Sequence, residues 1–132
     1  MKRIMTVDDS SSLRQIVSLV LGSAGYEVVE AVDGLDALSK LHGRELHLFL
    51  TDVHMPNMDG LELTRHLRGM PQYKFTPIAV LSGSESDPNS KQKAKASGAT
   101  AWLAKPFNPG DLLAVVKKVC VDARPANGAL ER

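Results

Sequence analysis

The chain has 132 residues, 43% of them apolar and 23% charged, with a formal net charge of +1. That is the length of one domain and the composition of an ordinary globular protein, and its charge balance gives no electrostatic reason to expect a nucleic-acid or membrane-surface partner. Cys120 has no second cysteine to pair with, no apolar run approaches the roughly 20 residues of a spanning helix, and the basic start meets Asp8 and Asp9 where a signal peptide needs an apolar stretch. A soluble, cytoplasmic protein is expected, with no nucleic-acid partner and no membrane insertion.

Arg3 to Val7 is short, apolar and β-branched, reads as a strand, and stops at Asp8-Asp9. Leu13, Ile16, Val17, Val20 and Leu21 recur at helical spacing. Ser12 with Gln15 makes a capping box for that helix, and Gly22 to Gly25 ends it. Tyr26 to Val32 reads as a strand, Asp33-Gly34 as a turn, and Leu35, Leu38 and Leu41 as one face of a second helix. Leu46 to Thr51 is the next strand, almost without polar alternation. Asp59 and Glu62 form a capping pattern for a third helix reaching Arg68. Pro77 to Ser82 is a strand, and Asp87 then Pro88 read as cap and first position of a fourth helix. Ala101 to Ala104 is a short strand, and Asn108, Pro109 and Asp111 open a last helix to Val121. Residues 122–132 lack periodicity and are expected to be a frayed tail to a domain spanning 1–121.

Strands alternating with helices pair in parallel through right-handed crossovers. The expected fold is α/β: a five-stranded parallel doubly wound sheet with five helices. In such sheets ligands sit outside the carboxyl ends of the strands, where the strand order reverses. Asp8 and Asp9 end the first strand, Asp52 the third, Ser82 the fourth and Lys105 the fifth. In the order 2-1-3-4-5 the first and third strands are neighbours, which brings the three carboxylates together beside a lysine and a hydroxyl. Packed carboxylates repel unless one is protonated or a cation sits among them. An all-oxygen donor set suits Mg²⁺, which takes one or two carboxylates and keeps open positions for water and phosphate. Such a site can accept a phosphoryl group, with Asp52 the best-aimed nucleophile and Asp8 and Asp9 the metal holders.

Four segments, in this order, resemble the receiver domain of two-component response regulators, a flavodoxin-like fold. "VDDSSSLRQIV" is similar to the family's acidic pair, "LTDVHMPNMDG" to its phosphoacceptor loop, "AVLSG" to its switch hydroxyl strand, and "WLAKPF" to its lysine-proline segment. The resemblance covers residues 2–121 and is closest to the stand-alone, chemotaxis-type regulators. It implies that Asp52 takes a phosphoryl group from a histidine kinase or a phosphotransfer protein, with Mg²⁺ held by Asp8, Asp9, Asp52 and the backbone carbonyl of His54. It implies that Ser82 and Lys105 bind the phosphoryl group and that the Lys105-Pro106 bond is cis. It also implies that Trp102, where the family more usually has tyrosine or phenylalanine, moves with Ser82 on phosphorylation. A downstream protein target would then read the face formed by the fourth helix, fifth strand and fifth helix, where Lys91, Lys93 and Lys95 could receive an acidic partner. With no room for an output domain, the chain is expected to act by binding another protein, chemotaxis signalling being one candidate pathway, and to catalyse only its own phosphotransfer and dephosphorylation.

Each residue also has a plainer reading. Asp8-Asp9 and Asp52 could be helix caps, Ser82 a turn residue, Lys105 a solvated lysine, Trp102 a packing tryptophan, and the lysine-rich fourth helix a solvated face. His54 and Ser84 lie two residues beyond Asp52 and Ser82, where the family tunes the lifetime of its acyl phosphate, and neither is an acid or amide. His42, His47, His54 and His66 lack metal-ligand spacing, and Cys120 reads as a small core residue. Two rival functions stand beside the switch: an aspartate-nucleophile phosphatase of the haloacid dehalogenase type, and a phosphorylation-independent adaptor.

Overall fold

The computed structural model describes residues 2–83 and 89–123, apart from the side chains of Ser90 and of 121–123. The strands are β1 (Arg3–Val7), β2 (Glu27–Ala31), β3 (Leu48–Asp52), β4 (Ile78–Ser82) and β5 (Ala101–Ala104). The helices are α1 (Ser11–Ser23), α2 (Gly34–Ser39), α3 (Gly60–Arg68), α4 (Ser90–Ser97) and α5 (Pro109–Ala123). The strands pair in parallel in the order β2-β1-β3-β4-β5, so the chain reverses direction across the sheet between β1 and β3.

The strands read as unbroken apolar runs because both faces of the sheet are covered. Leu48 and Leu50 join Ile4, Val17, Leu21, Leu112 and Val116 on the face packed by α1 and α5. Phe49 points the other way, with Met5, Ala37, Leu63 and Leu67, against α2 and α3. Each fully buried side chain of this size contributes about 1.5–3 kcal/mol relative to exposure. Val80 and Trp102 form a smaller cluster with Ala94 of α4.

Local chemistry corrects several expectations. The first helix is capped by Ser10, whose hydroxyl accepts the Leu13 N–H, so Ser12 lies inside the first turn and does not cap. A serine triplet offers three candidate caps, and chain geometry after the strand selects the earliest. On α2 the buried positions are Gly34 and Ala37, while Leu35 is 52% exposed. Gly34 sits against Met58, where any Cβ would collide, and this contact leaves Leu35 outside, while Leu38 and Leu41 pack on the core as expected. The expected cap at Asp87 and Pro88, the position Ser84 and the tail beyond 123 lie outside the described residues. Among the described residues no helix is long and apolar enough to cross a membrane.

Candidate functional site

Register places the acids. Val7 of β1 lies opposite Thr51 of β3, so Asp8 comes level with Asp52. Asp52 lies opposite Leu81, and Ser82 lies opposite Ala104. Asp8, Asp9, Asp52, Ser82 and Lys105 therefore leave the sheet at one edge. Carboxylate oxygens of Asp8, Asp9 and Asp52 all lie within 4.8 Å of one another. Lys105 Nζ is 2.9 Å from Asp52 Oδ1 and 3.9 Å from Asp8 Oδ2. Asp8 and Asp52 are buried, whereas Asp9 is exposed.

The site is rich in negative charge. Asp8 Oδ1 accepts the Ser10 N–H at 2.9 Å, but its buried Oδ2 has no hydrogen bond. Burial, the largest cause, pushes the Asp8 carboxyl above the usual aspartate range; the Ser10 amide and Lys105 lower it, and the charges of Asp52 and Asp9 raise it again. A divalent cation among these oxygens would satisfy Asp8 Oδ2 and relieve the repulsion. The donor set is all oxygen, open on the Asp9 side, and fits Mg²⁺.

The backbone around Asp52 is tightly held. The Asp52 carbonyl accepts from the Thr51 hydroxyl at 3.0 Å and touches Gly60, where a Cβ would overlap it. Gly60 N–H donates to Val53 O at 2.9 Å, so the loop after Asp52 closes on itself. Within it Asn57 adopts the left-handed region (φ 70°), and its side-chain amide donates to Asp33 Oδ2 at 2.7 Å. Asp33 is buried, and its other oxygen caps α2 through the Asp36 N–H. Asp33 thus ties the loop carrying Pro56 to the β2–α2 loop, and sequence reading passed over this role because it saw only a turn at Asp33-Gly34.

Ser82 is buried, and its carbonyl accepts the Lys105 N–H at 2.8 Å. The Lys105–Pro106 peptide bond is cis. His54 is exposed on the loop just past Asp52. Trp102 is half-buried on β5 and packs in the cluster of Val53, Val80 and Ala94. It lines a cavity of about 240 Å³ with Lys91, Ala94, Lys95 and Ala99. His47 acquires a structural explanation: its Nδ1 accepts the Arg3 N–H at 2.9 Å, extending the β1–β3 ladder. Cys120 is buried in the core, and burial raises its thiol.

Residues 4–117 match the family model described as the response regulator receiver domain. The chain belongs to that family. It is 31% identical to protein PilG of Pseudomonas aeruginosa over 87% of this chain and 84% of that protein. It is 37% identical to the CAI-1 autoinducer sensor kinase/phosphatase CqsS of Vibrio cholerae, over 85% of this chain and 16% of that larger protein. Among solved structures, chemotaxis protein CheY4 of Vibrio cholerae superposes with a TM-score of 0.85 at 48% identity, over 90% of this chain and 98% of that one. As a receiver domain the protein is a signalling switch of two-component and chemotaxis systems; the family binds Mg²⁺ at an acidic pocket, and Asp8, Asp9 and Asp52 cluster here.

Proposed function

We propose that the chain is a single-domain response regulator in which Asp52 accepts a phosphoryl group from the phosphohistidine of a histidine kinase or phosphotransfer protein, in a Mg²⁺-dependent reaction that switches binding to a partner protein. One observation carries the reading: Asp52, buried at the end of the central strand, is held 2.9 Å from Lys105 Nζ beside an unsatisfied Asp8 oxygen. In the transfer the donor's P–N bond breaks with its electron pair going to the imidazole, and an Asp52 carboxylate oxygen forms the new P–O bond. Lys105 fixes the orientation of Asp52 and offers its charge to the phosphoryl oxygens. Asp8, Asp9, Asp52 and the His54 carbonyl hold Mg²⁺, which when bound neutralises charge on the transferring group.

Once formed, the phosphoryl group adds up to about −2 of charge beside Ser82 and Lys105, and any state in which both reach it gains population. Trp102 packs against the cluster that contains Val53, the residue after Asp52, and reports that change. The face of α4, β5 and α5 presents it to a target, with Lys91 and Lys95 beside the Trp102 cavity offering charge to an acidic partner. The similarity to CheY4, a chemotaxis response regulator, favours a chemotaxis-type pathway. The receiver unit runs through α5, which ends at Ala123 and not at the expected Val121; it acts in the cytoplasm, and the chain catalyses only its own phosphotransfer and dephosphorylation. A phosphatase of the haloacid dehalogenase type is disfavoured because His54 stands where that chemistry uses a second acid.

The test is intact mass after incubation with acetyl phosphate, with and without Mg²⁺, while Trp102 fluorescence is followed. One phosphoryl adduct is expected in the wild type with Mg²⁺, and none in Asp52→Asn. An adduct on the Asp52→Asn variant, or none on the wild type, overturns the assignment.

A further inference from the structure

Among the described residues, two arginines pair with β2 glutamates at the two ends of the β1–β2 ladder. At the amino edge, Arg3 Nε lies 3.1 Å from Glu27 Oε2 and its Nη1 donates to the Glu45 carbonyl at 3.2 Å. At the carboxyl edge, Arg14 of α1 donates from Nε to Glu30 Oε1 at 2.9 Å and from Nη1 to the Asp8 carbonyl at 2.7 Å. Glu30 is itself steadied by the Ser18 hydroxyl, which donates to Oε2 at 2.9 Å. The Arg14 side chain is only 15% exposed. What differs is where each fork ends: Arg3 on a surface loop, Arg14 on the carbonyl between the two acids of the site.

We infer that Arg14, locked by Glu30 and Ser18, is a positioning residue that sets the cation affinity of the site by fixing the Asp8–Asp9 peptide. The inference rests on the reading that Asp8, Asp9 and Asp52 hold Mg²⁺. Asp8 O is bonded to Arg14 and Asp8 Oδ1 to the Ser10 amide, so both ends of the residue are pinned while Oδ2 is left pointing at Asp52 and Lys105. Asp9 follows on the same peptide and takes its direction from it. A planar guanidinium makes both bonds at once, and a lysine ammonium cannot reproduce that fork.

The sign of the effect separates positioning from charge. A cation near an acidic cluster, acting through its field alone, weakens Mg²⁺ binding, so its removal would tighten it. A residue that orients the ligands does the reverse, and partners of metal ligands typically control affinity by about 10- to 100-fold. The experiment is calorimetric titration of the full chain with Mg²⁺ for wild type, Arg14→Met, Arg14→Lys, Glu30→Gln and Arg3→Met, alongside urea unfolding in EDTA. Arg14→Met and Arg14→Lys are expected to raise the Mg²⁺ dissociation constant by about tenfold, Glu30→Gln by less, and Arg3→Met not at all. Both arginine→methionine variants lose stability in EDTA, so stability alone does not distinguish them. Unchanged or tighter binding in Arg14→Met, or a retained wild-type affinity in Arg14→Lys, overturns the inference. A wild type that binds no Mg²⁺ overturns the metal reading beneath it.

Discussion

Two corners of the molecule bury charge, and they treat it in opposite ways. At the amino edge, Arg68 at the end of α3 donates from Nε to Gly98 O at 3.0 Å and from Nη1 to Tyr73 O and Thr76 O at 3.1 and 2.7 Å. Its Nη2 reaches the Thr100 hydroxyl at 3.3 Å. Burial pulls its guanidinium below the usual arginine range, yet its donors are widely used. At the carboxyl edge, Asp8 and Asp52 share one lysine, and a buried Asp8 oxygen goes without a hydrogen bond. A buried charge whose bonds are met holds structure; a carboxylate oxygen left unmet among like charges, as Asp8 Oδ2 is, leaves room for a cation.

The largest effect tests the satisfied corner. Arg68 joins α3, the loop before β4 and the left-handed Gly98 that closes α4 (φ 110°). Arg68→Met strands the Gly98 and Thr76 carbonyls, while Tyr73 O keeps the Thr76 N–H, and is expected to cost about 3 kcal/mol of stability, read as a lower urea midpoint. Arg68→Lys recovers less than half of this, because one ammonium does not span the same acceptors. Mg²⁺ affinity stays at the wild-type value in both. A change in that affinity would mean that the corners are coupled and the contrast between them is false.

The unsatisfied corner should respond in the other direction. Asp8→Asn removes a buried like charge while keeping the shape, so in EDTA it is expected to stabilise the fold by about 1 kcal/mol. Millimolar Mg²⁺ then raises the unfolding midpoint of the wild type and leaves the variant unmoved, because a ligand stabilises only the state that binds it. Loss of stability in Asp8→Asn without metal would show that the site is not held against repulsion.

These corners were unequally visible in the sequence. The acids, Ser82 and Lys105 could be placed together because each closes an apolar run, and parallel topology carries strand ends to one edge. The five strands follow from the same patterning, whereas their order was supposed from the flavodoxin-like fold that the resemblance implies. Arg68, Arg14 and Asn57 left no such trace: their partners are chiefly backbone carbonyls or a carboxylate distant in sequence, and neither has a side-chain spacing to recognise. His47 was opaque for the same reason, since its partner is the Arg3 amide. The exposed Leu35 shows the converse failure, where an apolar pattern was overruled by one glycine pressed against Met58.

The smallest prediction sharpens the contrast within a single residue type. Asp36 lies one loop from the site, yet its carboxyl is lowered from 3.8, chiefly by the hydrogen bond it accepts from the Val32 N–H, with help from Lys40 at 3.1 Å. A lowered carboxylate contributes stability above its unfolded value and loses it as pH falls through the folded one. Asp36→Asn keeps an oxygen for the Val32 amide and removes only the charge. At neutral pH it should cost a few tenths of a kcal/mol, since the side chain is a quarter exposed and Lys40 more so. Urea midpoints in EDTA should show this gap persisting down to about pH 4 and closing below it. Asp8, raised where Asp36 is lowered, is present in both proteins and cancels from the difference. A gap that grew on acidification would mean that the sign at Asp36 is wrong, and that its amide bond does not set it apart from Asp8.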